Sequence, residues 1–380
     1  MKVDVVVVGS GPAGAKTALE LAKEGAKVLI LEKHKLPRFK LCGGCISSRT
    51  ASLLPEGWES LVLNRIRAGI LGFRGQRFVK RTSSRDIAYI VDRANFDHFL
   101  TEEATRKGAL LWDENPFSGY EIDGKIKVKT SKGYVEADFL VGADGFYTKV
   151  GKQLGYEKRK FFRSVEFWAE GELREEVIID IGLVSRGYGW VFPKGDRISI
   201  GIATTGKENL RKVLTEYIKG HKLLPQMRLE SVKGWMIPYI TEPSDANLGR
   251  GRILLTGDSA NLVDPLLGEG IYYALQSGLL CARSILERPN DPVSVYSKYV
   301  EKNIVPELVY AGKIADLAYR FQRTAFRMGA GFSLDRFFEL LEGKESYKSL
   351  YRKGIPEFVL SLLHIENFLH IIIDKILRRR

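Results

Sequence analysis

Residues 3–33, VDVVVVGSGPAGAKTALELAKEGAKVLILEK, constrain the fold more than any other stretch of the chain. Val3 to Val8 is a valine run broken only by Asp4, the composition of a strand buried on both faces. Gly9-Ser10-Gly11-Pro12-Ala13-Gly14 follows, then a helical stretch, then a second apolar strand from Val28 to Leu31 that ends at Glu32 and Lys33. This order is the dinucleotide-binding βαβ fingerprint in the context it requires. Gly9 permits the tight turn, Gly11 lets the backbone approach a pyrophosphate, and Gly14 lets helix and strand pack closely. Pro12 and Ala13 stand where the helix N-terminus turns its free N–H groups toward the phosphates. Glu32 is placed to accept from both ribose hydroxyls. A carboxylate there disfavours a 2′-phosphate, so the site suits FAD or NAD rather than NADP.

The chain has 380 residues, enough for two or three domains with sizeable cores. Hydrophobic content of 44% and charged content of 28% exclude a disordered chain. No signal peptide is expected, and the valine run is too short to span a bilayer. Three cysteines argue against a secreted disulfide scaffold, and five scattered histidines show no metal-ligand spacing, so no metal is expected. The expected location is the cytoplasm, with the inner membrane face as a peripheral site. A formal net charge of +13 is compatible with nucleic acid, an acidic membrane face or an anionic substrate. No nucleic-acid-binding motif supports the first.

A loop rich in Lys, Pro and Gly (KHKLPRFKLCGGCISSRT) follows Glu32 and Lys33. Helical and strand signals then alternate to about Arg85, and YIVDRANFDHFLTEEATRKGA reads as a strand followed by an amphipathic helix. Residues 109–141 read as short antiparallel strands with turns at Asp123-Gly124 and Lys132-Gly133. Residues 160–245 are strand-rich and aromatic, and 290–380 mostly helical. The expected class is α/β: a discontinuous Rossmann-like FAD-binding domain (1–159 and 246–289, with an antiparallel insertion), an inserted, mainly antiparallel β-sheet substrate domain (160–245), and a C-terminal helical region (290–380).

Further motifs carry a resemblance. Asp144-Gly145 in GADG and Gly257-Asp258 in LLTGDSANLVDPLLGEGI resemble the paired signatures of the FAD-dependent hydroxylase-like flavoproteins, the group of para-hydroxybenzoate hydroxylase. Arg93, Phe96 and Asp97 in DRANFD fit that group's R-x-x-F-D element. Tyr188-Gly-Trp190-Val-Phe192-Pro193, with Gly201 beyond, resembles the YxWxFP…G signature of the geranylgeranyl reductase branch, and Cys42-Gly43-Gly44 resembles its Cys-Gly loop. The chain departs from the pattern at Ser185, Ala203 and Cys45, and its last 90 residues match no motif.

The resemblance implies an extended FAD, with Asp258 near the ribityl–pyrophosphate part. Gly268 and Gly270, just before the helix that Ile271 begins, would bring N–H groups to the flavin's pyrimidine edge. Asp264-Pro265 reads alternatively as a simple cap. Asp144 and Gly145 read as a cofactor contact or as a turn. Arg93 suits the flavin or its phosphates, or a salt bridge to Asp97 or Glu103. Period-2 geometry puts Tyr188, Trp190 and Phe192 on one face, a wall for an apolar chain or a piece of core. Pro193 ends it, and Phe161, Phe162, Phe167, Trp168 and Trp235 are candidates to extend it. Cys42 would lie near the isoalloxazine, where a thiol can give a proton or gate the substrate. A structural role is second and a disulfide with Cys45 third.

The tail, PEFVLSLLHIENFLHIIIDKILRRR, reads as an apolar helix interrupted by Glu366, His370, Asp374 and Lys375. It suits a membrane surface or the protein's own core. The implied activity is FAD-dependent saturation of C=C bonds in a geranylgeranyl chain of a membrane lipid. The electron donor is open among NADPH, ferredoxin and deazaflavin. The alternatives are an FAD-dependent monooxygenase or halogenase of the same superfamily, and a lipid-binding flavoprotein without alkene chemistry.

Overall fold

The computed structural model describes residues 1–171, 175–224, 231–328, 334–356 and 358. The tail reading lies outside the described residues from 359 onward. No described helix is long and apolar enough to cross a membrane.

The valine run forms the strand Lys2–Val8 at the centre of an eight-stranded sheet. It pairs in parallel with Val28–Leu31 on one side and with Gly133–Gly142 on the other. Ile253–Leu255 and Leu110–Trp112 extend the parallel order outward. Both faces of this sheet are covered, which is why its strands read as continuous apolar runs; Val5, Val6 and Val7 are almost wholly buried. The predicted turns at Gly124 and Gly133 are present, each with positive φ, and they join two antiparallel strands, Gly119–Asp123 and Lys125–Thr130, to Gly133–Gly142. The helices Pro12–Lys23, Arg93–Arg106 and Ile271–Glu287 pack together on one side. A side chain on Gly278 would meet the Ala13 carbonyl at 2.5 Å, so this small residue sets how closely the first and last of them approach.

The second sheet has seven strands, in the order Lys233–Tyr239, Lys160–Glu170, Arg197–Thr204, Gly187–Lys194, Glu176–Ile181, Ala68–Phe73 and Arg77–Thr82. It is antiparallel except for the pairing of Glu176–Ile181 with Ala68–Phe73. The last two strands come from within 1–159, so the second sheet takes more of the chain than 160–245. Local patterning marks these segments as strands but not which sheet they join. The helix Leu210–Gly220 covers one face with Leu214 and Ile218. The other face carries Phe162, Tyr188 and Trp190 and turns toward the glycine loop and the C-terminal helices. A three-stranded sheet of Cys45–Ser47, Val62–Ile66 and Ala88–Val91 stands beside the site.

A candidate cofactor and substrate cavity

One cavity of about 860 Å³ runs from the glycine loop to the open face of the seven-stranded sheet. At one end, Gly9 has φ +103, and a side chain there would meet the Ala143 carbonyl oxygen at 2.4 Å. A side chain on Gly14 would meet Gly9 O at 2.0 Å. Gly14 does not line the cavity; it holds the turn and helix together. Gly11 is open, with only the Arg38 guanidinium 3.8 Å from its Cβ position, and lines the cavity with Pro12 and Ala13. This is a cradle for a bulky phosphate at a helix N-terminus.

Glu32 is 3% exposed and sits at the cavity wall beside Lys33. Burial works against its ionisation, but Arg38, the Ser10 hydroxyl at 2.6 Å and the His34 N–H at 3.1 Å hold its carboxyl below the usual range. Arg38 Nε lies 3.3 Å from Glu32 and Arg38 Nη1 2.9 Å from Asp97. Sequence reading missed Ser10 and Arg38. Ser10 lies inside the glycine motif, and Arg38 sits in an aperiodic loop that gives no pattern.

Arg93 forms the ion pair of its second reading, with Asp97 through two hydrogen bonds of 2.8 and 2.9 Å, while Glu103 pairs with Arg106. It also lines the cavity near Cys42, whose sulfur accepts from the Gly44 N–H at 3.4 Å. Asp144 accepts from the Lys149 N–H at 2.6 Å and from the Ser259 hydroxyl at 3.2 Å, as a turn residue does, while it and Gly145 still face the cavity. Asp258 lines the cavity. Gly257 does not: a side chain on it would stand 2.9 Å from Ala13 Cβ, so its part is to let the Gly257–Ala260 turn abut the first helix.

The loop from Asp264 to Gly270 leads into the helix Ile271–Glu287, and Gly268, Gly270 and Ile271 line the cavity. It is tied from several directions. Tyr188 donates to Leu267 O, Tyr319 donates to Leu266 O, and Tyr347 donates to Asp264. Arg49 and Ser47 both engage the Glu269 carboxylate. The two C-terminal tyrosines and Glu269 carry no sequence signal, because their partners are backbone atoms or distant side chains.

Cys42 and Gly43 line the cavity between the glycine loop and the sheet. A side chain on Gly43 would press on the Phe192 ring at 2.7 Å, so the loop lies against the aromatic wall. Cys42, Cys45 and Cys281 are free thiols. Burial, the Glu269 charge and Cys42 push the Cys45 thiol up to about 12.

Tyr188, Trp190 and Phe192 share one sheet face and line the cavity. Trp190 lies over β-strand backbone that Gly201 leaves bare: a Cβ there would stand 2.1 Å from the indole. The indole N–H donates to Ser199 Oγ at 3.0 Å, and Ser199 donates to Glu166 Oε1 at 2.8 Å. Glu166 also accepts from Trp168 Nε1 at 2.6 Å, and burial raises its pKa above the ordinary carboxylate range. Glu166 was missed, although a lone carboxylate on the face shared with Phe162, Ser164 and Trp168 was a readable anomaly. Pro193 does not line the cavity: the alternation that aims Phe192 at the cavity turns its neighbour away. Trp235 extends the wall and Phe162 packs behind it, while Phe167 is in the core on the opposite face. Phe161 meets Phe146, and Trp168 meets Phe39.

A model of the FAD binding domain matches residues 2–174. Digeranylgeranylglycerophospholipid reductase 1 of Methanopyrus kandleri is 30% identical over 336 residues, spanning 80% of this chain and 86% of that protein. The crystal structure of a geranylgeranyl bacteriochlorophyll reductase-like protein from Thermoplasma acidophilum superposes with a TM-score of 0.76 at 21% identity, covering 96% of this chain and 99% of that one. A flavin-dependent brominase superposes with a TM-score of 0.71 at 18% identity, covering 94% and 99%. At these identities the two structures speak for the fold. The cradle at Gly11, the cavity-facing Glu32 carboxylate and the cavity's length fit the dinucleotide that the matched domain binds. The chain is an FAD-binding member of the geranylgeranyl reductase family, the branch that includes the digeranylgeranylglycerophospholipid reductases.

Proposed function

We propose that the protein is an FAD-dependent reductase that saturates C=C bonds in the isoprenoid chains of a membrane lipid. The observation that carries this reading is the single cavity joining the glycine loop, Cys42 and the apolar wall of Tyr188, Trp190 and Phe192. The name of the Methanopyrus relative supports the substrate class.

When bound and reduced, FAD supplies a hydride equivalent. The chain's own residues do the rest. The Gly9–Gly14 turn and Glu32 hold the adenine half. Asp258 and the tethered Gly268–Gly270 loop present polar groups at the other half. The wall of Tyr188, Trp190 and Phe192 holds an apolar chain flat and keeps water from the reacting carbons. An isolated alkene is a poor hydride acceptor, so positioning and a proton delivered during transfer must lower the barrier. The Cys42 Sγ–H, beside Arg93, is the candidate donor to the second carbon. Cys45 is a poor one, because its thiol holds its proton to about 12.

The test is to reduce the purified protein chemically without oxygen and add a geranylgeranyl lipid. The product should gain mass in steps of two hydrogens. Unchanged lipid beside persistently reduced flavin overturns the reading, and hydroxylated product formed only with oxygen and NAD(P)H supports the monooxygenase reading instead. Cys42→Ala should slow turnover while FAD stays bound, and an unchanged rate removes Cys42 from the proton path.

A further inference from the structure

The cavity floor changes character across the seven-stranded sheet. In register, one row runs from Lys233 through Glu166 and Gly201 to Trp190 and Ile179. Val177, Ile179, Phe337 and Leu341 make one end of the cavity apolar. At the other end three lysines interleave with three aromatic rings. Lys40 Nζ stands 3.5 Å from the centroid of Trp235, Lys233 Nζ 3.9 Å from that of Phe39, and Lys194 Nζ 4.7 Å from that of Trp168. Phe39 and Trp168 are themselves 5.5 Å apart. Lys40 and Lys233 line the cavity.

None of these charges has a carboxylate partner at ion-pair distance among the described residues. Asp258 and Asp97 act on Lys40 from a distance, Lys194 donates to Cys42 O at 3.4 Å, and Glu166 already accepts from Ser199 and Trp168. Burial and the Arg93 charge push the Lys40 ammonium down to about 8, so a cation is held there at a cost. An aromatic face steadies an ammonium without consuming its N–H donors. Lys40 and Lys233 at the end of an apolar trough, with Lys194 behind them on Trp168, match an amphipath with a compact anionic head.

Resting on the isoprenoid reading above, we propose that Lys40 and Lys233, backed by Lys194, form an anion subsite for the phosphate or diphosphate ester at the head of the isoprenoid substrate. The head then lies at the Lys233 edge and the chain crosses Trp190 toward Val177. This fixes the direction in which the double bonds pass Cys42.

The test uses the FAD-loaded protein and compares geranylgeranyl diphosphate with geranylgeraniol, in turnover and in equilibrium binding followed by tryptophan fluorescence. Lys233 is exposed, so Lys233→Glu should fold; Lys40→Met and Lys194→Arg accompany it, with FAD content measured for each. A lost charged hydrogen bond corresponds to about tenfold in affinity. We expect Lys233→Glu and Lys40→Met to weaken binding and raise KM for the diphosphate by about tenfold or more, and to change the alcohol's KM several-fold less. Lys194→Arg should retain binding. Inorganic diphosphate alone should compete with the ester and not with the alcohol. Equal effects on ester and alcohol, or none on either, overturn the subsite. So does loss of FAD from Lys40→Met with Lys233→Glu silent, which would assign Lys40 to the cofactor. If the wild-type protein binds the ester in a Lys233-dependent way but reduces neither compound, the subsite stands and the reductase reading fails.

Discussion

Tyr347 donates its hydroxyl hydrogen to Asp264 across 2.6 Å, and so a residue of the C-terminal region reaches into the loop that carries the cavity-lining Gly268 and Gly270. Asp264 is 1% exposed, and its other oxygen accepts from the Leu266 N–H at 2.6 Å. Tyr347→Phe keeps the ring and removes one donor from a buried carboxyl. The expected loss is ~1–3 kcal/mol of stability, together with weaker retention of FAD because the loop is freed. Denaturant titration and FAD release on dilution measure the two effects. If FAD affinity is unchanged while stability falls, the hydroxyl braces the fold and has no part in shaping the loop.

Asp264 also sets a pH dependence. Burial pushes its carboxyl up from 3.8 to about 6, against the pull of Tyr347. The folded state therefore binds this proton more tightly than the unfolded chain does. The contribution to stability is full below about pH 4, falls as pH rises through 6, and is constant above that. Two units correspond to roughly 3 kcal/mol at most. Asp264→Asn cannot ionise, so the difference in unfolding free energy between wild type and variant should shift in the variant's favour between pH 4 and 6 and then level off. A flat difference over that range contradicts the buried carboxyl's assignment.

The first βαβ unit was legible because its chemistry is local: valines that need two covered faces, glycines that need positive φ or close approach, and an acid at a strand end. That Tyr188, Trp190 and Phe192 share one face was legible from period-2 alternation, while their reading as a wall rested on the family motif, and the same alternation read strictly sets Pro193 on the other face. What the sequence did not disclose is held by long-range pairing. The strands Ala68–Phe73 and Arg77–Thr82 look like any strands, and only their pairing with Glu176–Ile181 shows which sheet they complete. Arg38, Glu269 and Tyr347 act through partners far along the chain, and no spacing rule finds them.

The chain of hydrogen bonds from Trp190 through Ser199 to Glu166 predicts a graded series. Ser199→Ala leaves the buried indole N–H without its acceptor, at ~1–3 kcal/mol, and frees the ring to rotate. We expect kcat to fall by up to about tenfold, with FAD content unchanged. Glu166→Gln keeps an acceptor for Ser199 and Trp168 and should retain most of the activity, whereas Glu166→Ala should resemble Ser199→Ala. Trp190 emission should shift in the two damaging variants and not in the conservative one. Equal loss in all three would point to the charge of Glu166 rather than to its placement of the ring.

Gly201 and Ala203 test the wall from beneath. They lie opposite Trp190 and Tyr188 on the neighbouring strand. Ala203 already carries a methyl group opposite Tyr188, so that position has room for one. Gly201 has none, since a Cβ would stand 2.1 Å from the indole. Gly201→Ala must lift Trp190 into the cavity and break its bond to Ser199, at ~1–3 kcal/mol of overpacking. The displaced ring would occupy the path of the substrate chain, so KM for the lipid should rise along with the fall in kcat. Ala203→Gly should cost little in either. Retained FAD absorbance with impaired lipid reduction in Gly201→Ala places the wall on the substrate side of the cavity; parallel loss of FAD would place it against the cofactor.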